Sequence, residues 1–422
     1  MSKIRWILSR LGRQLWVHVV LYAVLGVVAA MAASLATRYL PWPVPIDVST
    51  DAIDSLLTVI SSSMLAVTTF SVGALTSAYG AATSNGTPRA TTLLAEDQVV
   101  QSALATFVGS FLFSIVGLVA LRVSAYGPQG RALLFLTTLA VIVLIVLALL
   151  RWIDQLTRLG RVADTTARLE EATHEAMQAR LDLPCLGGQR LQGSPDADRG
   201  GVPIPAGRVG YVEHVDTVSL SAICENRGWR LDVLVLPGSF VYADTPLARV
   251  HTGAGQGDAP DETLRALIHA AFTLGATRTF DQDPRFGLVA LSEVALRALS
   301  PAVNDPGTAI DVIGRQTRLL THWAQEHAKA DAPGRTAPYP RLSVPPLDYG
   351  DLYEDAFNLI GRDGAGQIDV MLRLVKALRA LTRIGPPEAR QAAERQLAIA
   401  RDRAMQNLPM AEERDRLAAA LA

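Results

Sequence analysis

The stretch ALLFLTTLAVIVLIVLALL, residues 132–150, holds no charged residue, no proline and no glycine. A helix needs roughly 20 apolar residues to cross the hydrocarbon core of a bilayer, and inside that core every backbone polar group has to find its partner within the protein. The stretch therefore reads as a transmembrane helix. Working toward the N-terminus, three more segments have the same character, at about 102–121, 54–78 and 15–37. The first span is too long for the apolar region of a cleaved signal peptide. Tyr39, Trp42 and Trp152 fall near span ends, where amphipathic rings favour the membrane interface.

Lys and Arg flanking the spans predict their orientation. Lys3, Arg5, Arg10 and Arg13 precede the first span, and Arg151, Arg158, Arg161 and Arg168 follow the fourth. Between spans three and four stand only Arg122 and Arg131, and after span one only Arg38. The positive-inside rule then puts both termini in the cytoplasm. The segment Pro41-Trp42-Pro43-Val44-Pro45 becomes a short external loop.

Half of the 422 residues are hydrophobic and 19% are charged, and the apolar excess sits in residues 15–151. The net charge of −1 offers no electrostatic footprint for nucleic acid. Two cysteines, Cys185 and Cys224, exclude a disulfide framework and a cysteine-rich zinc site. The seven histidines show no metal-ligand spacing, so no metal is expected.

No Asp, Glu, Lys or Arg lies between Ser55 and Pro88 or within spans three and four. Ionisable groups inside a membrane mark proton and ion relays, so their absence argues against a proton-coupled pump. Span two carries hydroxyls instead. Ser55, Ser62, Thr69 and Thr76 recur every seventh residue and share one helix face. One reading makes that face the lining of a pore in a homo-oligomer, with Asp51 and Asp54 as an acidic mouth. The other makes it a packing face, since small residues let helices approach closely and each hydroxyl can bond the carbonyl one turn back. Gly26, Ala30 and Ser34 in span one and Thr106, Ser110 and Ser114 in span three have the same small-residue spacing.

After the fourth span, residues 152–182 read as a charge-laced helix, and the Gly- and Pro-rich segment 184–207 as a linker. Short strands follow at Gly210-Tyr211-Val212, Leu231–Leu236, Ser239–Tyr242 and Leu247–Val250, around the turns Pro237-Gly238 and Asp244-Thr245-Pro246. Their order looks like half of a biotinyl or lipoyl barrel-sandwich module. The lysine that such modules modify is missing, so no cofactor is expected. Gly253-Ala254-Gly255-Gln256-Gly257 lacks the Lys-Ser/Thr of a phosphate-binding loop and reads as a plain loop.

Beyond residue 261 helices dominate, with a Pro-rich loop at 331–346 and helices at about 349–361, 366–384 and 386–421. Ser300-Pro301 and Asp305-Pro306 both spell a helix cap followed by a first-turn proline. The plain reading is two successive helix starts. The sharper one is an anion- or partner-binding site built from Arg285, Ser300, Asn304 and Asp305, with Arg297 nearby. No arrangement of nucleophile, base and acid stands out, and no enzymatic activity is expected.

Asp283-Pro284-Arg285-Phe286-Gly287, Ala298-Leu299-Ser300-Pro301, Asn304-Asp305-Pro306 and Thr308-Ala309 are distinctive words, as are Gly210–Asp216 (GYVEHVD) and Pro237–Val241 (PGSFV). With a Ser/Thr-rich second span ending before Pro88-Arg89, they resemble the bacterial predicted membrane proteins catalogued as domain of unknown function 2254. The resemblance covers nearly the whole chain and implies topology and architecture, without an activity.

The expected fold is an α-helical membrane domain of four transmembrane helices (residues 1–151), then a connecting helix and linker (152–200). A cytoplasmic α+β part follows, made of a small β-barrel-like module (201–252) and a helical C-terminal module (261–422). Expected partners are the lipid bilayer, further copies of the chain and a cytoplasmic protein. Two functions stay open: a homo-oligomeric channel or pore lined by span two, or a membrane-anchored scaffold or sensor whose cytoplasmic domain binds a partner or small ligand.

Overall fold

The computed structural model describes residues 2–39, 49–123, 126–193, 200–252, 260–330 and 336–421. The proline-rich segment 41–45 and the glycine-rich loop 253–257 lie outside the described residues. The chain forms two compact units. One comprises residues 7–84 and 88–164, and the other residues 1–6, 85–87 and 165–422.

Helix α1 (Lys3–Gly12), whose residues 3–6 count with the second unit, leads in the first unit into α2 (Leu15–Tyr39), α3 (Thr50–Asn85), the one-and-a-half-turn α4 (Ala90–Ala95), α5 (Gln98–Arg122) and α6 (Pro128–Arg158). Among the described residues, α2, α3, α5 and α6 are the four helices long and apolar enough to cross a membrane. Glycines let α2 and α5 approach closely. A β-carbon on Gly26 would lie 2.6 Å from the Gly109 carbonyl oxygen, and one on Gly109 would lie 2.9 Å from that of Tyr22. Larger side chains fill the rest. Ile60, Met64 and Leu75 pack with Val100, Leu104, Phe107, Ile145 and Trp152, while Ile53 and Leu57 pack with Phe113, Leu121 and Leu134.

Polar contacts close each end of this bundle. At one end Asp97 caps α5 by accepting from the Val99 and Val100 amides, and its other oxygen accepts from Gln155 Nε2 at 2.8 Å. Gln101 donates there to the carbonyls of Arg13 and Ala95. At the other end Arg122 pairs with Asp54 at 3.1 Å, and Arg131 donates to Thr50 Oγ1.

The helix expected at 152–182 is broken. Helix α6 stops at Arg158 and α7 spans Val162–Asp182. Gly160 between them takes φ +79°, the left-handed conformation that ends helices and that glycine adopts without penalty.

The second unit contains α7 and the remaining elements. In chain order they are β1 (Gly188–Arg190), β2 (Val202–Pro205), β3 (Gly210–Val215), α8 (Thr217–Arg227), β4 (Arg230–Val233), β5 (Phe240–Val241), β6 (Pro246–His251), α9 (Glu262–Ala271) and β7 (Phe272–Gly275). Then come α10 (Pro284–Leu299), α11 (Pro306–Ala330), β8 (Tyr339–Val344), α12 (Tyr349–Asp363), α13 (Ile368–Leu381), α14 (Pro387–Asn407) and α15 (Ala411–Leu421). The strands make two open sheets, of order β1-β8-β4-β6-β2 and β5-β3-β7.

No barrel closes among the described residues, because β4 and β6 pair in one sheet while β5 pairs with β3 in the other. The segment read as a linker supplies both edge strands of the larger sheet, β1 and β2. An edge position suits β2, whose Pro203 and Pro205 have no N–H for a central ladder. Part of the expected Pro-rich loop at 331–346 is β8, which lies parallel to both β1 and β4. One core joins the sheets with α8 and α9, through Val212, Val215, Leu220, Trp229, Val233, Ile268, Phe272 and Leu342. Cys185 is half-buried and Cys224 is buried, and burial pushes the Cys224 thiol up to about 12.

Candidate functional site

Three of the distinctive sequence words meet at one place in the α/β unit. Asp283 caps α10, its carboxylate accepting from the Phe286 amide at 3.2 Å. Arg278 reaches it with two parallel bonds, Nε at 2.8 Å and Nη2 at 3.0 Å, the geometry in which a guanidinium grips a carboxylate best. Gly238 of the PGSFV turn lies against the same carboxylate. A β-carbon there would stand 2.2 Å from Asp283 Oδ2, and the residue has φ +95°. Only glycine satisfies both conditions.

The GYVEHVD segment forms the third side. The Val215 amide donates to Gln282 Oε1, and Thr279 Oγ1 donates to the Glu213 carbonyl. Arg180 of α7 is buried and donates through Nε and Nη2 to the Gln282 carbonyl. Burial lowers the pKa of this guanidinium to about 10. Gly287, one turn into α10, meets α7 where a β-carbon would come 1.9 Å from Thr173 Oγ1.

His214 in the same segment is fully buried, with neither ring nitrogen hydrogen-bonded. Burial lowers its pKa to about 4, so the ring is neutral at physiological pH. Trp6 from the chain's N-terminal segment stacks on it, with ring centroids 5.0 Å apart. Its indole donates to Asp281 at 2.8 Å, while the Lys3 amide donates to Asp216 at 2.7 Å. Sequence reading treats the N-terminal residues as flanking charge and does not find this docking.

Of the proposed anion or partner residues, Ser300, Asn304 and Asp305 share one turn, in which the Asn304 amide donates to the Ser300 carbonyl at 2.9 Å, while Arg285 stands apart from them. Arg285 stands at the second position of α10, where it pairs with Asp355 at 2.6 Å and with Asp351. Ser300 stands at the far end of that helix, about 22 Å away by helical rise. The expectation of a helix start at Ser300 is corrected. Ser300 ends α10, its amide and hydroxyl both donating to the Arg297 carbonyl. Asp305 does start a helix. It caps α11 by accepting from the Thr308 amide and hydroxyl, and those bonds hold its carboxyl below the usual range. Between them Asn304 takes φ +49°, and residues 301–307 are exposed.

In the membrane unit the hydroxyl row of α3 occupies one side of the helix. Ser55, Ser62, Thr69 and Thr76 are all exposed, whereas Ile53, Leu57, Ile60, Met64 and Leu75 are buried. At about 100° per residue, Ser62 is about 160° around the helix from Ile60. The hydroxyls of Ser62, Thr69 and Thr76 donate to the carbonyls of Thr58, Leu65 and Val72, at 3.0, 3.0 and 2.9 Å. Their O–H donors are therefore satisfied within the helix. Asp51 is exposed, and Asp54 is paired with Arg122.

Arg278 pairs with Asp283, and Arg285 pairs with Asp351 and Asp355. Among the described residues no group of three His, Cys, Asp or Glu side chains is placed to hold a metal ion. The architecture defines a membrane protein with four apolar helices and an attached α/β unit. The chain belongs to the predicted membrane protein family DUF2254, whose family model matches residues 12–380.

The chain is also similar to an uncharacterised protein of Mycobacterium bovis and to one of Mycobacterium tuberculosis strain H37Rv. Each is 37% identical over 125 residues, which is 28% of this chain and 23% of the relative. The matched region is thus under a quarter of those relatives' own length. No solved structure matches the chain.

Proposed function

We propose that the protein is a homo-oligomeric channel or pore of the bacterial inner membrane, in which α3 helices from several copies turn their hydroxyl faces toward a shared axis. The observation that carries this reading is the position of Ser55, Ser62, Thr69 and Thr76 on the side of α3 opposite its buried row. Lipid tails offer such a face nothing to bond. Water or another polar helix face satisfies it. Helix α6 exposes Leu139, Val143, Leu144, Leu147 and Leu150, a surface suited to lipid, whereas α3 places its hydroxyl row between the exposed apolar residues Val59, Leu65, Phe70 and Val72. Asp51 is the acidic residue left to colour the mouth, because Arg122 offsets Asp54. The Lys and Arg distribution supports cytoplasmic termini.

The test is mass measurement of the detergent-solubilised protein, followed by conductance in planar bilayers. A closed oligomer whose conductance falls with Ser62→Leu or Thr69→Leu supports the lining. A monomer, or a conductance that ignores both substitutions, removes it. In that case the α/β unit, which has its own core and charge network, becomes the focus of a scaffold or sensor function.

A further inference from the structure

We propose that α1 is an interfacial helix that lies on the surface of an anionic bilayer, a contact separate from the spans and from the α3 face. Its exposed apolar residues are Ile4 (74% exposed), Ile7 (40%), Leu8 (63%) and Leu11 (39%). They follow the i, i+3, i+4, i+7 spacing of a single helix face and cover an arc of about 100°. In water such a stripe is a liability. At a headgroup boundary it inserts among the first acyl carbons while the polar face stays wet.

Three further observations choose lipid as the occupant. First, the other side of α1 is already taken: Trp6, 2% exposed and about 150° around the helix from the centre of the stripe, is held by His214 and Asp281. Second, cations flank the stripe: the exposed Arg5 on one side, and on the other the half-buried Arg10 and Lys3, whose ammonium also donates to the Ala270 carbonyl at 2.8 Å. Basic residues beside an apolar stripe fit phosphate headgroups. Third, α1 runs directly into a span. Only Arg13 and Gln14 separate it from α2, and that corner is fastened, since the Arg13 carbonyl accepts from Gln101 at 2.7 Å and its guanidinium meets Glu96 at 3.6 Å. A helix tied to the end of a transmembrane segment is confined to the membrane surface on that side.

The test uses the full chain in nanodiscs, with Cys185 and Cys224 replaced and a nitroxide attached at Leu8→Cys or, on the polar face, at Ser9→Cys. Both positions are exposed, so the labels leave the packing undisturbed. Relaxation by oxygen and by a water-soluble nickel chelate reports depth. The expected result places the label at position 8 about 5–10 Å into the bilayer boundary and the label at position 9 in water. The insertion should be deeper in discs with about 30% phosphatidylglycerol than in pure phosphatidylcholine. Equal nickel accessibility at both positions overturns the proposal. So does a position 8 shielded from both reagents, which means that protein covers the stripe. A depth indifferent to lipid charge overturns the assignment to anionic headgroups.

Discussion

Gly238 lies beneath the carboxylate of Asp283, so close that a β-carbon on the glycine would stand 2.2 Å from Oδ2. The contact joins a turn between two strands to the cap of α10, across residues far apart in sequence. Gly238→Ala has to displace Asp283 from its bonds with Arg278 and the Phe286 amide, and it places a side chain at φ +95°. The expected loss is at least about 2 kcal/mol, read as a lowered unfolding midpoint. Asp283→Ala should also destabilise. The double variant should cost less than the two singles added, because the clash disappears with the carboxylate. Strict additivity would show that the two residues do not meet.

Arg285 answers two carboxylates at once. Asp355 is mostly buried, and Asp351 is half exposed. Arg285→Ala leaves Asp355 without its cation in a site where burial already raises its pKa. A loss of about 2 kcal/mol is expected, discounted from the fully buried case because solvent reaches Asp351. Arg285→Lys should recover only part of it, since an ammonium lacks the planar fork with which the guanidinium meets both oxygens of Asp355. Chemical unfolding of the three proteins side by side decides the matter. Full rescue by lysine would mean that charge alone matters.

The spans are legible because about 20 apolar residues in a row have few other uses, and each of the four is a helix in the structure. The α1 stripe is equally present in the sequence, at Ile4, Ile7, Leu8 and Leu11, yet the neighbouring Lys and Arg draw the reading toward charge. Strands β1 and β8 are a different matter. Their parallel pairing joins residues 188–190 to residues 339–344, and nothing local announces it. Pro340 at the start of β8 even argues against a strand.

At Ser300 a local rule misleads. A serine before a proline spells a helix start, but the chain turns through Asn304 and takes the competing start at Asp305-Pro306, where Thr308 completes the cap. The convergence of Gly238, Asp283 and Gln282 is likewise a tertiary fact. Its one local trace is a glycine after Pro237, which a turn alone would explain.

Close packing of α2 on α5 rests on Gly26 and Gly109, and membrane helices gain much of their association from such small residues. Gly26→Leu has to push α5 away, because even a β-carbon would lie 2.6 Å from the Gly109 carbonyl oxygen. The expected loss is about 2 kcal/mol or more, seen as unfolding at lower dodecyl sulfate fraction in mixed micelles. Gly73→Leu on α3 is the control, since a β-carbon there meets nothing within 4 Å. In a monomer Gly73→Leu should be silent. If it lowers oligomer mass while Gly26→Leu lowers stability, the two helices have the separate roles assigned to them.

His214 makes folding depend on pH in a definite direction. Burial holds its folded pKa at about 4, against an ordinary value of 6.5. Between these values the unfolded chain binds the proton and the folded chain does not. Stability is therefore fully present above about pH 6.5 and falls as the pH drops toward 4. The whole difference is about 3 kcal/mol, at about 1.4 kcal/mol per pH unit between the two values. Asp216 and Asp281 attract the proton and moderate the effect without reversing it, while Lys3 adds to it. His214→Phe keeps the stack under Trp6 and removes the titration, and its unfolding midpoint should be flatter than that of the parent between pH 6.5 and 4. Trp6→Ala opens the site to water. It should lower stability by about 3 kcal/mol at pH 8, where His214 is neutral in both states, and by less at pH 5, where the exposed imidazole can take its proton while folded. A Trp6→Ala penalty independent of pH would mean that Trp6 packs there without governing the burial of His214.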